Sequence, residues 1–223
     1  MAKRTYLDTI TRDGIVYGRT STGSLIVQNG RTAKCTTIGI PAQINGMPVI
    51  GVDERAFANS SVKNILLPKT VILVDEGAFY NALNLKTVEF ESERVALGRN
   101  AFTGCFKLQK IKGKTLQTTG ESVFYQCKNL TEIEAEFSGE VWRNTFGLCK
   151  RLQEIQFADG VKIHADAFYG CMSVKTLYFA TKADIPASIM KFVEKRQIVC
   201  NEDSNLAELA YTGTDVILAK VDG

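Results

Sequence analysis

A phenylalanine recurs through the middle of this 223-residue chain every 22 or 23 residues, at Phe57, Phe79, Phe102, Phe124, Phe146 and Phe168. A second column keeps step with it: Val62, Leu85, Leu108, Leu130, Leu152 and Val174. A third is Cys105, Cys127, Cys149 and Cys171, each 22 residues from the next. Units this short cannot bury an apolar face alone, so the same face must be covered by the unit before and the unit after. The chain is therefore expected to be a stacked array in which each unit touches only its neighbours.

A period in the low twenties points to a leucine-rich solenoid. In the unit running from Leu85 to Lys107, the opening Leu-Lys-Thr-Val-Glu-Phe alternates, with Val88 and Phe90 on one side and Thr87, Glu89 and Glu91 on the other. Period two predicts a half-buried strand. A second strand alternates too, with Ile50/Val52, Ile72/Val74, Val95/Leu97 and Val161/Ile163 facing inward. The Ala-Phe-x-x-Cys segment is too short for a stable helix and is read as one helical or 3-10 turn whose Phe plugs the unit. The expected fold class is an α/β solenoid. It is a right-handed leucine-rich repeat superhelix of about six rungs, strand-dominated with short helical or 3-10 turns and capped at both ends.

Residues 1–39 are read as an N-terminal cap. Its two β-rich runs, Gly14-Ile-Val-Tyr-Gly and Ser24-Leu-Ile-Val-Gln, flank Thr20-Ser-Thr-Gly, a hairpin pattern. A turn at Asn29-Gly30 and a strand at Cys35-Thr-Thr-Ile-Gly-Ile follow. Residues 40–180 carry the array. In residues 181–223 the period fails, and a C-terminal cap is expected. It would hold a helix near 184–196, a strand at Gln197-Ile-Val-Cys, a second short helix near 204–211 and a last strand at Val216-Ile-Leu-Ala. The whole is one structural domain.

The pattern Leu-x-x-Ile-x-Phe … Ala-Phe-x-x-Cys-x-x-Leu resembles the BspA-type leucine-rich repeat. So do the opening Asp13-Gly-Ile-Val-Tyr and the link Ile40-Pro-Ala-Gln-Ile-Asn-Gly-Met-Pro-Val-Ile. The resemblance covers roughly residues 13–180. It implies a bacterial or protozoan protein, and a protein-binding module of the kind that in this family serves cell adhesion.

Charge argues against a nucleic-acid partner. The net charge is +3, but six basic residues against Asp8 and Asp13 place an excess of four in residues 1–40. A nucleic-acid binder would carry a basic stripe along its working face instead. No apolar run reaches the length of a membrane span. Met-Ala-Lys-Arg-Thr-Tyr is followed by no apolar core of a secretory signal. A cytoplasmic location is therefore expected, and a secreted or cell-surface one requires a leader upstream of Met1.

Four cysteines continue a column that begins with Ser60 and Ala82, a small-residue packing position. Buried reduced thiols, disulfides between neighbouring rungs and a metal site are the three readings; the absence of Cys-x-x-Cys pairs and of a favoured pairing supports the first. Neither metal nor cofactor is expected. With one histidine, His164, and no phosphate-binding glycine loop, no catalytic residue is assigned. An enzyme would need a pocket around His164.

The outward residues of the first strand form a striped face, expected to be concave: Asn64 and Leu66; Thr87, Glu89 and Glu91; Lys110, Lys112 and Lys114; Glu132, Glu134 and Glu136; Glu154 and Gln156; Thr176 and Tyr178. In-register stacking would set Lys112 beside Glu89 and Glu134, and Lys114 beside Glu91 and Glu136. Either this is a solvated charge ladder or it is a docking stripe that selects partners by charge. Trp142 and His164 occupy equivalent positions four before the rung Phe, where other units carry Asp53, Asp75, Gly98 and Gly120. They form either an amphipathic patch or, for Trp142, a cover over the gap at Gly139. Tyr80, Tyr125 and Tyr169 line an opposite edge or simply pack.

The expected function is non-catalytic protein binding through Glu89, Lys110, Lys112, Glu134, Trp142, His164 and Tyr178, with a structural or assembly subunit docking through its caps as the alternative.

Overall fold

The computed structural model describes residues 4–180 and the strands Ala183–Asp184, Gln197–Cys200 and Asp215–Leu218. The two helices expected near 184–196 and 204–211 lie outside the described residues.

The chain winds as a β-solenoid with two parallel ladders. The first, ladder I, runs Thr37–Gly39, Asn64–Leu67, Thr87–Phe90, the start of Lys110–Thr118, Glu132–Ser138, Glu154–Phe157, Thr176–Phe179, Gln197–Cys200 and Asp215–Leu218, every pair parallel. Pairing thus continues for two strands past Ala180, where the sequence period is lost. Ladder II runs from Leu25–Asn29 through Met47–Val52, Leu73–Val74 and Arg94–Leu97 to the second half of Lys110–Thr118. Glu140–Val141, Val161–Ile163 and Ala183–Asp184 form a separate parallel sheet. At the N-terminal end, Thr9–Arg12, Ile15–Arg19 and Leu25–Asn29 pair antiparallel, so the predicted hairpin forms.

The six phenylalanines stand in a row along the axis. Successive ring centroids lie 5.1, 5.0, 5.4, 5.9 and 5.3 Å apart, with planes within 12° of parallel. That spacing is close to the strand repeat, because both are set by the backbone hydrogen bonds that stack one rung on the next. The row ends against Gly30, where any Cβ would fall 1.9 Å from the Phe57 ring. The Val/Leu and Cys columns are buried beside it.

The segment around each Phe is not a helical or 3-10 turn; among the described residues there is no helix. Residues two before and two after each Phe have φ near +60°. One set is Arg55, Gly77, Asn100, Ser122, Asn144 and Asp166; the other is Asn59, Asn81, Gly104, Gln126, Leu148 and Gly170. A left-handed residue every fourth position breaks the helical run and makes consecutive tight turns instead. The turns leave alternate N–H groups pointing along the axis. In the Phe79 rung, Gly77, Phe79 and Asn81 donate to the carbonyls of Arg99, Ala101 and Thr103, while Ala78, Tyr80 and Ala82 close turns on Asp75, Gly77 and Phe79. The turn edge is therefore hydrogen-bonded from rung to rung as fully as a sheet.

Two expectations about the strands are corrected. Ile72 is exposed and Ile50 half-buried, although their backbones stay in the rung-to-rung hydrogen bonding: Ile72 donates to the Ile50 carbonyl at 3.0 Å and accepts from Ala96 at 2.9 Å. Thr176 is buried rather than outward.

Candidate interaction surface

On ladder I the outward side chains pair along the axis. Asn64 donates to Thr37 at 3.1 Å and accepts from Thr87 at 2.9 Å. Lys112 pairs with Glu89 at 2.8 Å, and Lys110 with Glu132 at 2.9 Å and Glu134 at 2.5 Å. These contacts raise the pKa of both lysines and hold Glu134 below the usual carboxylate range, chiefly through its hydrogen bond from Lys110. Lys112 and Glu134 are register partners as expected, yet the ion pair of Glu134 is diagonal, to Lys110.

The expected partners of Lys114 are not found. The register slips after Lys112, so Thr115, not Lys114, stands opposite Glu136 and donates to it at 3.0 Å. Lys114 is bulged out and pairs with Glu93. The next step also departs from the 22-residue register, and Gln156 faces Glu136 instead of Glu134. Glu89, Lys112 and Glu134 therefore share one row, while Tyr178 belongs to the row of Glu136 and Gln156. Gly113 marks the bulge in the sequence, since an isolated glycine within a strand pattern is a bulge signal.

The column four before each Phe carries the second cluster. Trp142 and His164 stack with centroids 4.5 Å apart and planes 17° from parallel. His164 Nε2 lies 2.7 Å from Glu140 Oε2, which fixes the imidazole over the indole. Glu140, placed one strand position before Val141, was not singled out in the sequence. The gap at Gly139 is covered by Gln117, not by Trp142. On the other side of Trp142 the next two positions of the column are Gly120 and Gly98. A Cβ on Gly98 would meet Glu76 N at 2.7 Å and one on Gly120 would meet Arg99 Cβ at 2.9 Å, so backbone packing excludes side chains there. The result is a trough walled by Trp142, floored by the two glycines and rimmed by Asp75, Glu76, Arg99 and Glu121. Glu76 and Glu121 have no ion-pair partner among the described residues. At the far end Arg4 reaches Asp53 at 2.7 Å and Asp75 at 3.1 Å, and Tyr6 hydrogen-bonds Asp53 at 2.5 Å.

The cysteine column consists of free thiols. Cys105, Cys127, Cys149 and Cys171 each donate to the carbonyl of the Phe in the preceding rung, at 2.8–3.2 Å. Burial pushes the Cys105, Cys127 and Cys149 thiols well up. Of the tyrosines, Tyr80 lies under Arg55 at 5.5 Å, Tyr125 covers Gly147, and Tyr169 is exposed.

The family model of the BspA type leucine rich repeat region matches residues 50–175 and 138–192, in six copies. The fold is similar to that of a T. pallidum leucine-rich repeat protein (TM-score 0.52, 17% identity, 89% of this chain and 84% of that one). It is also similar to that of a leucine-rich repeat protein from Bacteroides ovatus (TM-score 0.51, 17% identity, 93% of this chain and 66% of that one). No curated protein sequence matches the chain. Among the described residues there is no helix long and apolar enough to cross a membrane. A family match across more than half of the chain, on residues that form the stacked rungs, decides the matter: the chain belongs to the BspA-type leucine-rich repeat family.

Proposed function

We propose that the chain is a non-catalytic protein-interaction module whose anchor is the Trp142 edge. The observation that carries this reading is the Trp142–His164 stack, an amphipathic aromatic pair held in place by Glu140 and left half-exposed beside an open trough. A rigid, partly desolvated tryptophan is the residue type on which interfaces concentrate their binding energy. The solenoid supplies the rigidity: both walls of the rung are hydrogen-bonded to their neighbours, so a partner orders little on arrival.

The charged row on ladder I serves selection. Its lysines and glutamates already neutralise one another, so docking there exchanges pairs rather than creating them, and charge complementarity sets partner choice more than affinity. The unpaired carboxylates of Glu76 and Glu121 beside the indole favour a partner that brings a cationic side chain to the trough.

The reading is tested by affinity capture with the wild type, Trp142→Ala and a Lys110/Lys112→Glu double variant. Loss of a captured protein with Trp142→Ala, at unchanged thermal stability, is the expected result. Identical captured sets from all three would rule the reading out.

A further inference from the structure

We infer that the N-terminal end of ladder I is a strand-addition site for an extended, acidic and apolar segment of a partner protein. The two ladders end unequally there. Ladder II continues past Met47–Val52 into three further strands, Leu25–Asn29, Ile15–Arg19 and Thr9–Arg12. Among the described residues ladder I stops at Thr37–Gly39, which pairs on one side only, with Asn64–Leu67. In a parallel pair alternate residues bond the neighbour, so with Ile38 opposite Ile65 the N–H and C=O groups of Thr37 and Gly39 point away from the sheet. Such a row of free groups is a template for one more strand.

A cavity lies beside that edge, lined by Ile15, Tyr17, Cys35, Ile38 and Pro41, with Arg12 and Asp13 also on its wall. It occupies the place where the preceding rung of a longer solenoid would lie. Tyr17 is 1% exposed and lines the cavity, and its hydroxyl makes no hydrogen bond to another described residue. One apolar side chain of an added strand would fill the space between Ile15 and Ile38. A carbonyl or side-chain oxygen of the same strand would accept from Tyr17.

Charge chooses the flanking residues. Arg4 is held by Asp53 and Asp75 and Arg19 by Asp8, so the basic residues left over at this end among the described ones are Arg12, Arg31 and Lys34, the last between the cavity-lining Ala33 and Cys35. Arg31 and Lys34 have no carboxylate partner among the described residues, and Arg12 reaches only the adjacent Asp13, at 3.7 Å. A segment with carboxylates on either side of a β-branched residue matches both the cavity and its rim.

Cys35 provides the readout. It is exposed and lines the cavity, whereas the four thiols of the column are buried. The probe is the peptide acetyl-Asp-Glu-Val-Ile-Val-Glu-Asp-amide, added to the full chain, with maleimide labelling of Cys35 followed by peptide mapping. Saturable slowing of labelling by tenfold or more is expected. It should weaken with salt and be lost with a peptide N-methylated at alternate residues or with Lys in place of the acids. Thr37→Pro removes an outward N–H and keeps the backbone pairing with Asn64–Leu67, losing only the exposed Asn64 contact to the Thr37 hydroxyl; it should abolish protection while leaving the circular dichroism unchanged. Labelling unaffected by the peptide at millimolar concentration overturns the inference. So does equal protection by the N-methylated peptide. Concentration-dependent protection in the protein alone would also overturn it, since the edge would then be filled by a second copy. These outcomes are independent of Trp142 and leave the reading of that edge as it stands.

Discussion

The thiol of Cys127 donates to the carbonyl of Phe102, 3.2 Å away on the preceding rung. That carbonyl already accepts the N–H of Cys105 within its own turn, so the thiol uses its second lone pair. The cysteine column is thus a polar thread through an apolar core, and it has a cost at high pH. Burial raises the thiol pKa of Cys105, Cys127 and Cys149 in the folded state. Above the unfolded thiol pKa of ~8.5 the unfolded chain loses protons that the folded chain keeps. Stability is then complete below that pH and falls as pH rises. The slope is ~1.4 kcal/mol per pH unit for each such thiol. Urea unfolding between pH 7 and 10 should show this decline. A Cys105/Cys127/Cys149→Ala variant, which extends the residue already present at Ala82, should be less stable at pH 7 and flatter above pH 9.

The phenylalanine row predicts a local failure. Phe102 is fully buried between Phe79 and Phe124. Phe102→Ala removes a ring that the rigid rungs cannot close over, a loss of about 3–5 kcal/mol. Because rungs contact only neighbours, the loss should split the array. Hydrogen exchange should quicken most in the Phe79, Phe102 and Phe124 rungs, and least in Glu154–Phe179.

The stacking order was legible because identical residues at one interval can only be buried by one another, and the Phe, Leu and Cys columns are all where the period puts them. The turn geometry is also written in the chain, though not in its apolar spacing. Gly77, Asn100, Asn144 and Asp166 before the Phe, and Asn59, Asn81, Gly104 and Gly170 after it, are residues that tolerate positive φ. Periodicity of apolar residues alone cannot separate a helical turn from two tight turns. The charge row failed where a count of 22 was carried through the bulge at Gly113. Glu140 was invisible because its role comes from the rung above it, not from any pattern in its own.

Those positive-φ positions yield a prediction of their own. Gly104 has φ +74°, and a Cβ there would fall 2.1 Å from Asn81 Oδ1. Gly104→Ala should therefore destabilise the chain by about 1–3 kcal/mol, through backbone strain and the displaced Asn81 together. Ser122→Gly, at φ 60° on the turn edge, should be neutral or slightly stabilising, by less than about 1 kcal/mol. Paired denaturant melts of the two variants check both signs, and a Gly104→Ala protein as stable as wild type would contradict the turn geometry.

Exposed ion pairs should matter little to the fold. Lys112 and Glu89 are both about half exposed, so the pair is screened by solvent and salt. Lys112→Gln should leave the unfolding free energy at low salt almost unchanged, and any loss should shrink further at 0.5 M NaCl. A larger loss that persists in salt would show that the row is a structural girdle and not a surface available for docking.

Trp142 is the chain's single tryptophan, so its fluorescence reports on one site. One face of the indole is covered by His164 and the other opens on the trough above Gly120. His164→Ala should uncover the first face, shifting emission to longer wavelength and raising the acrylamide quenching constant. Glu140→Gln should do the same to a smaller degree, since the imidazole keeps its place in the stack but loses the carboxylate that orients it. Neither change touches the Phe row, so the unfolding midpoint should move little. If quenching is unaltered by His164→Ala, the imidazole does not hold the indole, and the rigid anchor on which binding at this edge depends is absent.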